Sequence, residues 1–144
     1  MRFVLDTCIM IDWLRNDPVA VDAVVLASSK GSVFVSLISI MELYLSNKKK
    51  SQIERDVSAI KTLCCKMGFQ ILPCSRAVQK AALTILSQHR DVLGRNAITD
   101  SLIIGLGRTR RAYLVTRDRQ WTALAGHLGR YVTVVSPDQL LREW

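Results

Sequence analysis

Four acids stand where a carboxylate could do chemistry: Asp6 closes the apolar run "RFVL", Glu42 sits in "SIMEL", Asp100 in "ITDSL", and Asp118 follows "LVTR". Asp6 is the most pointed of them. A carboxylate at the end of a buried strand is costly unless something positive compensates it. Oxygen-only donors select hard ions, Mg²⁺ or Mn²⁺, and Mg²⁺ characteristically joins one or two carboxylates to substrate phosphates. The chain has only two histidines, His89 and His127, with no H-x-x-H spacing, so a zinc site has little support. One or two hard ions at such a cluster activate a water for in-line attack and stabilise the leaving oxyanion. That is the chemistry of phosphodiester hydrolysis.

Each acid also has an ordinary explanation. "SIME" is a capping box of Ser39 with Glu42, and any acid in the first turn of a helix gains about 0.3–1 kcal/mol from the macrodipole. Asp100 is open to the same account, and Asp118, between Arg117 and Arg119, to that of an exposed loop acid. The case for a site rests on whether the fold brings the four together.

The elements that must position them alternate in type. "RFVLD" reads as a strand, "TCIMIDWL" as a short helix ending before "RNDP", and "PVAVDAVVLASSK" as a helix opened by Pro18 and stopped by Gly31. "SVFVS" is a second strand, and Ser36 or Ser39 can cap a helix through "IMELYLSNKKK". "SQIERDVSAIKTLCCKMG" carries Ile53, Val57, Ile60 and Leu63 or Cys64 at helical spacing and stops at Gly68. "FQILP" is a third strand, followed by a helix from Ser75 to about Arg90 and a buried helix over "NAITDSLIIGLGRTRR". "AYLVT" and "YVTVVS" are the fourth and fifth strands, and "SPDQLLREW" closes the chain as a helix capped by Ser136.

Such alternation predicts a single α/β domain with a parallel sheet, since parallel strands need crossover connections. Helix N-termini and strand C-termini then share one edge. Asp6 and Asp118 end strands, while Glu42 and Asp100 lie early in helices. All four therefore fall on the edge that holds the ligand crevice in open α/β sheets. Asp12, further along its helix with Arg15 at i+3, reads as a surface ion pair.

The bulk properties agree. The chain has 20 Lys and Arg against 12 Asp and Glu, a net charge of +8 and a pI near 9.7, the balance of a protein whose partner is a polyanion. The excess gathers in "NKKKSQIER", "GRTRR" and "TRDRQ", though helix ends and loops also gather cations. Lys48, Lys49, Arg117 and Arg119 are the candidate nucleic-acid phosphate contacts among them. Hydrophobic residues make up 49%, enough for an ordered core. No apolar run reaches the ~18 residues of a membrane span, and a cytoplasmic protein is expected. Cys8, Cys64, Cys65 and Cys74 contain no C-x-x-C pair and read as small core residues.

The stretches "VLDTCIMID", "SLISIMELY", "ITDSLIIGLG" and "LVTRDRQW" together resemble the PIN-domain ribonucleases, most closely the VapC toxins of prokaryotic toxin–antitoxin pairs. The resemblance runs from Met1 through "VSPDQLL". It implies one PIN domain over residues 1–144, with a parallel five-stranded sheet flanked by helices on both faces and an acidic pocket for Mg²⁺ or Mn²⁺. Matched by position, the family's acids fall on Asp6, Glu42, Asp100 and Asp118, with Asp6 and Asp100 as principal ligands. Thr116 matches the Ser/Thr of the T-x-D motif that supports the pocket, and Thr7 the hydroxyl residue after the first acid, where a plain cap is an equal reading. Partners implied are an RNA substrate, a cognate antitoxin protein and a second copy in a homodimer. Two departures stand out: Gly105 and Gly107 replace the usual Ala, which close backbone packing would explain, and Trp121 replaces Phe, keeping an apolar anchor.

Other classes compete. A PIN-fold nuclease of RNA or DNA without a toxin role uses the same chemistry. A Mg²⁺-binding phosphoacceptor domain would want an acidic pair after its first strand, an Asp ending its third and a Lys after its fifth, where this chain has "ILPCS" and "VVSP". A non-catalytic RNA-binding protein would have no need of all four acids.

Overall fold

The computed structural model describes residues 1–45, 48–123, 126, 129 and 131–144. Its five strands are β1 (Arg2–Leu5), β2 (Ser32–Ser36), β3 (Gln70–Leu72), β4 (Tyr113–Val115) and β5 (Thr133–Val135). All pairings are parallel, in the order β3-β2-β1-β4-β5, so β1 is central and the strand order reverses beside it.

The strands are apolar on both faces because both faces are covered. Phe3 and Leu5 join Val33, Val35, Val115 and Val135 in one core cluster, whereas Val4 joins Phe34 and Leu114 in the other. That is the period-two alternation of a strand dealing side chains to opposite faces. The first face is packed by α1 (Thr7–Leu14), α2 (Pro18–Lys30) and α4 (Lys50–Met67), through residues such as Ile9, Ala23, Val24 and Ile60. The second is packed by α5 (Arg76–Leu93) and α6 (Ala97–Arg110), through Val78, Ile85, Ile103 and Ile104.

Local signals place the helix ends. Asp17 accepts the Ala20 N–H at 2.9 Å and Pro18 opens α2; Ser75 caps α5 through the Val78 N–H. Gly68 ends α4 in the left-handed conformation at φ 69°, which costs glycine nothing. Ser136 accepts the Gln139 N–H at 3.1 Å and starts α8 (Pro137–Glu143).

The stretch after β2 differs from the sequence expectation. α3 covers only Leu37–Glu42 and tightens into a 3₁₀ turn, Leu43–Leu45. Met41, Tyr44 and Leu45 face solvent, so no apolar stripe remains to hold further helical turns. The remainder of the expected helix includes Ser46 and Asn47, outside the described residues, and α4 begins where the Ile53, Val57, Ile60 pattern begins. A short helix not expected from the sequence, α7 (Arg119–Ala123), follows β4.

The glycine departures have a packing cause. A Cβ on Gly105 would lie 2.9 Å from the Val78 carbonyl oxygen on α5, and one on Gly107 would lie 2.7 Å from Val132 Cγ2. The cysteines are less uniform than expected: Cys64 is buried, Cys8 and Cys74 are half-buried, and Cys65 is exposed. Cys65 faces out because Cys64 takes the inward position of α4, and successive helical residues point about 100° apart. Among the described residues no helix is long and apolar enough to cross a membrane.

Candidate active site

Asp6 lies one residue beyond β1 and does three things at once. Its N–H bonds the Val115 carbonyl at 3.0 Å, prolonging the β1–β4 ladder, and its own carbonyl accepts the Ile9 and Met10 N–H groups of α1. Its side chain caps that helix: Oδ1 accepts the Thr7 N–H at 2.7 Å. Oδ2 accepts the Thr116 hydroxyl at 2.7 Å and the Cys8 thiol at 3.2 Å. The carboxylate is only 6% exposed. Burial raises its pKa, opposed by those donors, with the charge of Glu42 adding to the rise.

Thr116 sits directly after β4 and couples two of the acids. Its hydroxyl donates to Asp6 and accepts the Asp118 N–H at 3.0 Å. Asp118 in turn caps α7, its Oδ1 accepting the Gln120 N–H at 2.7 Å. Glu42 ends α3 instead of lying early in it; Ser36 is the cap, so the Ser39–Glu42 box does not form. Instead Thr7 Oγ1 donates to Glu42 Oε2, tying α1 to α3.

Asp100, in the first turn of α6, is 8% exposed. Its pKa is pushed up to about 7 by burial, and then by the charges of Asp6, Glu42 and Asp118. Asp6, Glu42 and Asp118 thus lie within electrostatic range of Asp100 at the strand-C-terminal edge beside β1. The buried indole N–H of Trp121 closes no hydrogen bond of ordinary geometry, yet it faces the Asp100 carboxyl closely enough to oppose part of that rise. Trp121 is the expected apolar anchor, at 1% exposure, with this donor in addition.

Among the described residues no three His, Cys, Asp or Glu side chains form a ready cage for one metal ion. His127 lies outside those residues. Donors that line a pocket without closing on one point suit an ion that keeps several waters and takes one or two carboxylates, which is how Mg²⁺ is usually held. The two buried carboxylates and their hard-oxygen chemistry therefore fit a divalent cation of that kind.

Three neighbours were not legible as site residues. Cys8, expected in the core, holds Asp6: burial and the Asp6 charge push its thiol up to about 12, so it is a donor at neutral pH. The signal was present, since residue 8 occupies the second position of a helix that Asp6 caps. Asp12 pairs with Arg117 (Nη1–Oδ2 2.7 Å) and not with Arg15, and Arg117 Nη2 also reaches Asp17 Oδ1 at 2.6 Å. These partners lie 105 and 100 positions away, a separation with no local signature. Arg117 is thus engaged by two carboxylates, and Lys48 pairs with Asp56 at 2.7 Å. Both were expected to face phosphate; the nearer acids claim them first. Arg119 and Lys49 are exposed.

Comparison with known proteins agrees with this fold. No curated protein matches the chain by sequence. Among solved structures, VapBC2 from Rickettsia felis bound to a promoter DNA fragment superposes with a TM-score of 0.73 at 17% identity, over 94% of this chain and 98% of that one. A toxin–antitoxin complex from Klebsiella pneumoniae gives 0.64 at 23%, over 93% and 96%. DNA-bound VapBC from Salmonella typhimurium gives 0.67 at 20%, over 95% and 98%. At such identities the likeness is one of fold. The sequence pattern of the PIN domain, a family of nucleases that generally use divalent metals, matches residues 3–127, and this chain belongs to that family.

Proposed function

We propose that the chain is a Mg²⁺- or Mn²⁺-dependent endoribonuclease, acting as the toxin of a toxin–antitoxin pair. The observation that carries this reading is the placement of Asp6, Glu42, Asp100 and Asp118 at the strand-C-terminal edge beside β1, where burial and neighbouring charge disfavour the bare carboxylates of Asp6 and Asp100. A bound cation would supply a water of lowered pKa and would neutralise charge on the phosphate. Asp6 and Asp100 are the principal ligands in this reading. Thr116 and Cys8 fix Asp6 Oδ2, and Thr7 fixes Oδ1, leaving the carboxylate one orientation toward the pocket. Thr7 also holds Glu42, and Thr116 the Asp118 backbone. Glu42 and Asp118 complete the pocket and orient the attacking water.

The similarity to VapBC and toxin–antitoxin complexes supports an antitoxin as partner; a homodimer and a cytoplasmic location belong to the same proposal. The test is a digest of labelled RNA, and of DNA of the same sequence, with Mg²⁺, Mn²⁺ or chelator. RNA cut internally only with metal is expected. Cleavage that survives chelation, or falls on DNA alone, contradicts the reading.

A further inference from the structure

The basic run 107–111 belongs to none of this machinery, because the fold carries it to the other side of the molecule. α6 runs antiparallel to the strands, so Arg108, Arg110 and Arg111 at its C-terminal end lie where the strands begin. Arg2, which opens β1, joins them there by donating Nη1 to the Arg110 carbonyl at 3.1 Å. β1 is four residues long, so this edge stands roughly 13 Å from the carboxylates along the sheet.

Two of the guanidiniums stack on rings. Arg108 lies over the Tyr131 ring at 5.1 Å from its centroid, and Arg110 over Phe34 at 5.3 Å. A guanidinium stacked on a ring keeps its N–H edge turned outward in the planar fork that matches phosphate. Arg108 and Arg111 line a cavity of about 320 Å³ with Tyr113, Tyr131 and Thr133. All four arginines are exposed, and among the described residues none forms an ion pair with a carboxylate. A helix end favours a cation in its last turn. That does not account for Arg2, which a different element adds to the same charge against mutual repulsion.

We propose that Arg2, Arg108, Arg110 and Arg111 form a phosphate-binding surface for the RNA backbone, remote from the cleaved bond. The inference rests on the reading of RNA as the substrate. It places the strongest electrostatic hold on the far edge of the sheet, where the cations have no acid partners among the described residues, and not on Arg117 or Lys48, which have. The surface recruits a stretch of RNA outside the acidic pocket and contributes to binding without touching the chemistry.

The test measures binding of a labelled single-stranded RNA, and of DNA of the same sequence, in chelator, across a salt series. Arg108→Ala/Arg111→Ala is compared with Lys61→Ala/Lys66→Ala, which removes the same charge from exposed positions of α4. The arginine variant should bind RNA roughly tenfold more weakly, with the log–log salt slope reduced by about 1.4, as expected for two lost phosphate contacts on a single strand. The lysine variant should keep the wild-type slope, and both should melt like wild type. Equal weakening by the two variants, no weakening by the arginine variant, an effect on DNA alone, or no salt-dependent RNA binding by wild type overturns the proposal. Because metal is absent, the outcome is separate from the nuclease reading: wild type that binds through the arginines but fails to cut RNA with Mn²⁺ refutes only the latter.

Discussion

Arg117 and Asp12 lie 105 positions apart and meet at 2.7 Å, which anchors the residue between Thr116 and Asp118 to the end of the first helix. The other end of the guanidinium holds Asp17, the cap of α2. Replacing Arg117 with Met should lower the melting temperature by roughly 3–6 °C, the scale of a partly exposed forked ion pair in a domain of this size. Arg117 holds the Asp17 carboxyl below its ordinary value of 3.8. A depressed acid contributes stability above its unfolded pKa and loses it as pH falls through the folded value. The gap between wild type and variant, followed by thermal melts in an acid series, should therefore close below about pH 4.

Asp100 shifts the opposite way. Its folded pKa of about 7 lies above the ordinary 3.8, so the folded state binds its proton more tightly than the unfolded chain. Stability is then fully present below 3.8 and lost as pH rises through about 7. Metal-free wild type should melt progressively lower from pH 5 to pH 8. Asp100→Asn should reduce that fall, the raised Asp6 carboxyl keeping part of it, and be more stable at pH 8, by on the order of 2–4 kcal/mol. A variant less stable than wild type at pH 8 would contradict the burial argument.

Thr116 holds Asp6 and receives Asp118 with one hydroxyl. Thr116→Val keeps the shape and removes both bonds. Cleavage should fall about 10–100-fold, the usual effect of losing a group that orients a metal ligand. The half-saturating Mn²⁺ concentration should rise, and a metal titration of the cleavage rate checks it.

Glycine in α6 is a packing requirement. Alanine is the better helix former by about 1 kcal/mol, yet Gly105→Ala should destabilise by roughly 1–3 kcal/mol, because its Cβ meets backbone that cannot yield. Gly107→Ala meets the end of a valine side chain and should cost less. Urea denaturation of the two variants orders them.

The parallel sheet and the edge shared by the acids were legible because short continuous apolar runs and capping residues are local signals. Pro18, Ser75, Gly68 and Ser136 each mark a boundary that the structure keeps. The helix after β2 was not legible, since its length depends on whether Met41 and Tyr44 find a surface to cover, and they do not. The four acids could be placed at one edge from topology alone. Their hydrogen bonds could not: the partners of Asp6 include Thr116, 110 positions distant. The long-range clamp of Arg117 on Asp12 and Asp17 likewise had no local sign.

The most direct test compares RNA cleavage by wild type and Asp6→Asn at saturating Mn²⁺, with circular dichroism confirming that both are folded. Asp6→Asn keeps the shape of the carboxylate and loses its charge, so cleavage should drop to the level of wild type in chelator. Cleavage by the variant at the wild-type rate would contradict the account.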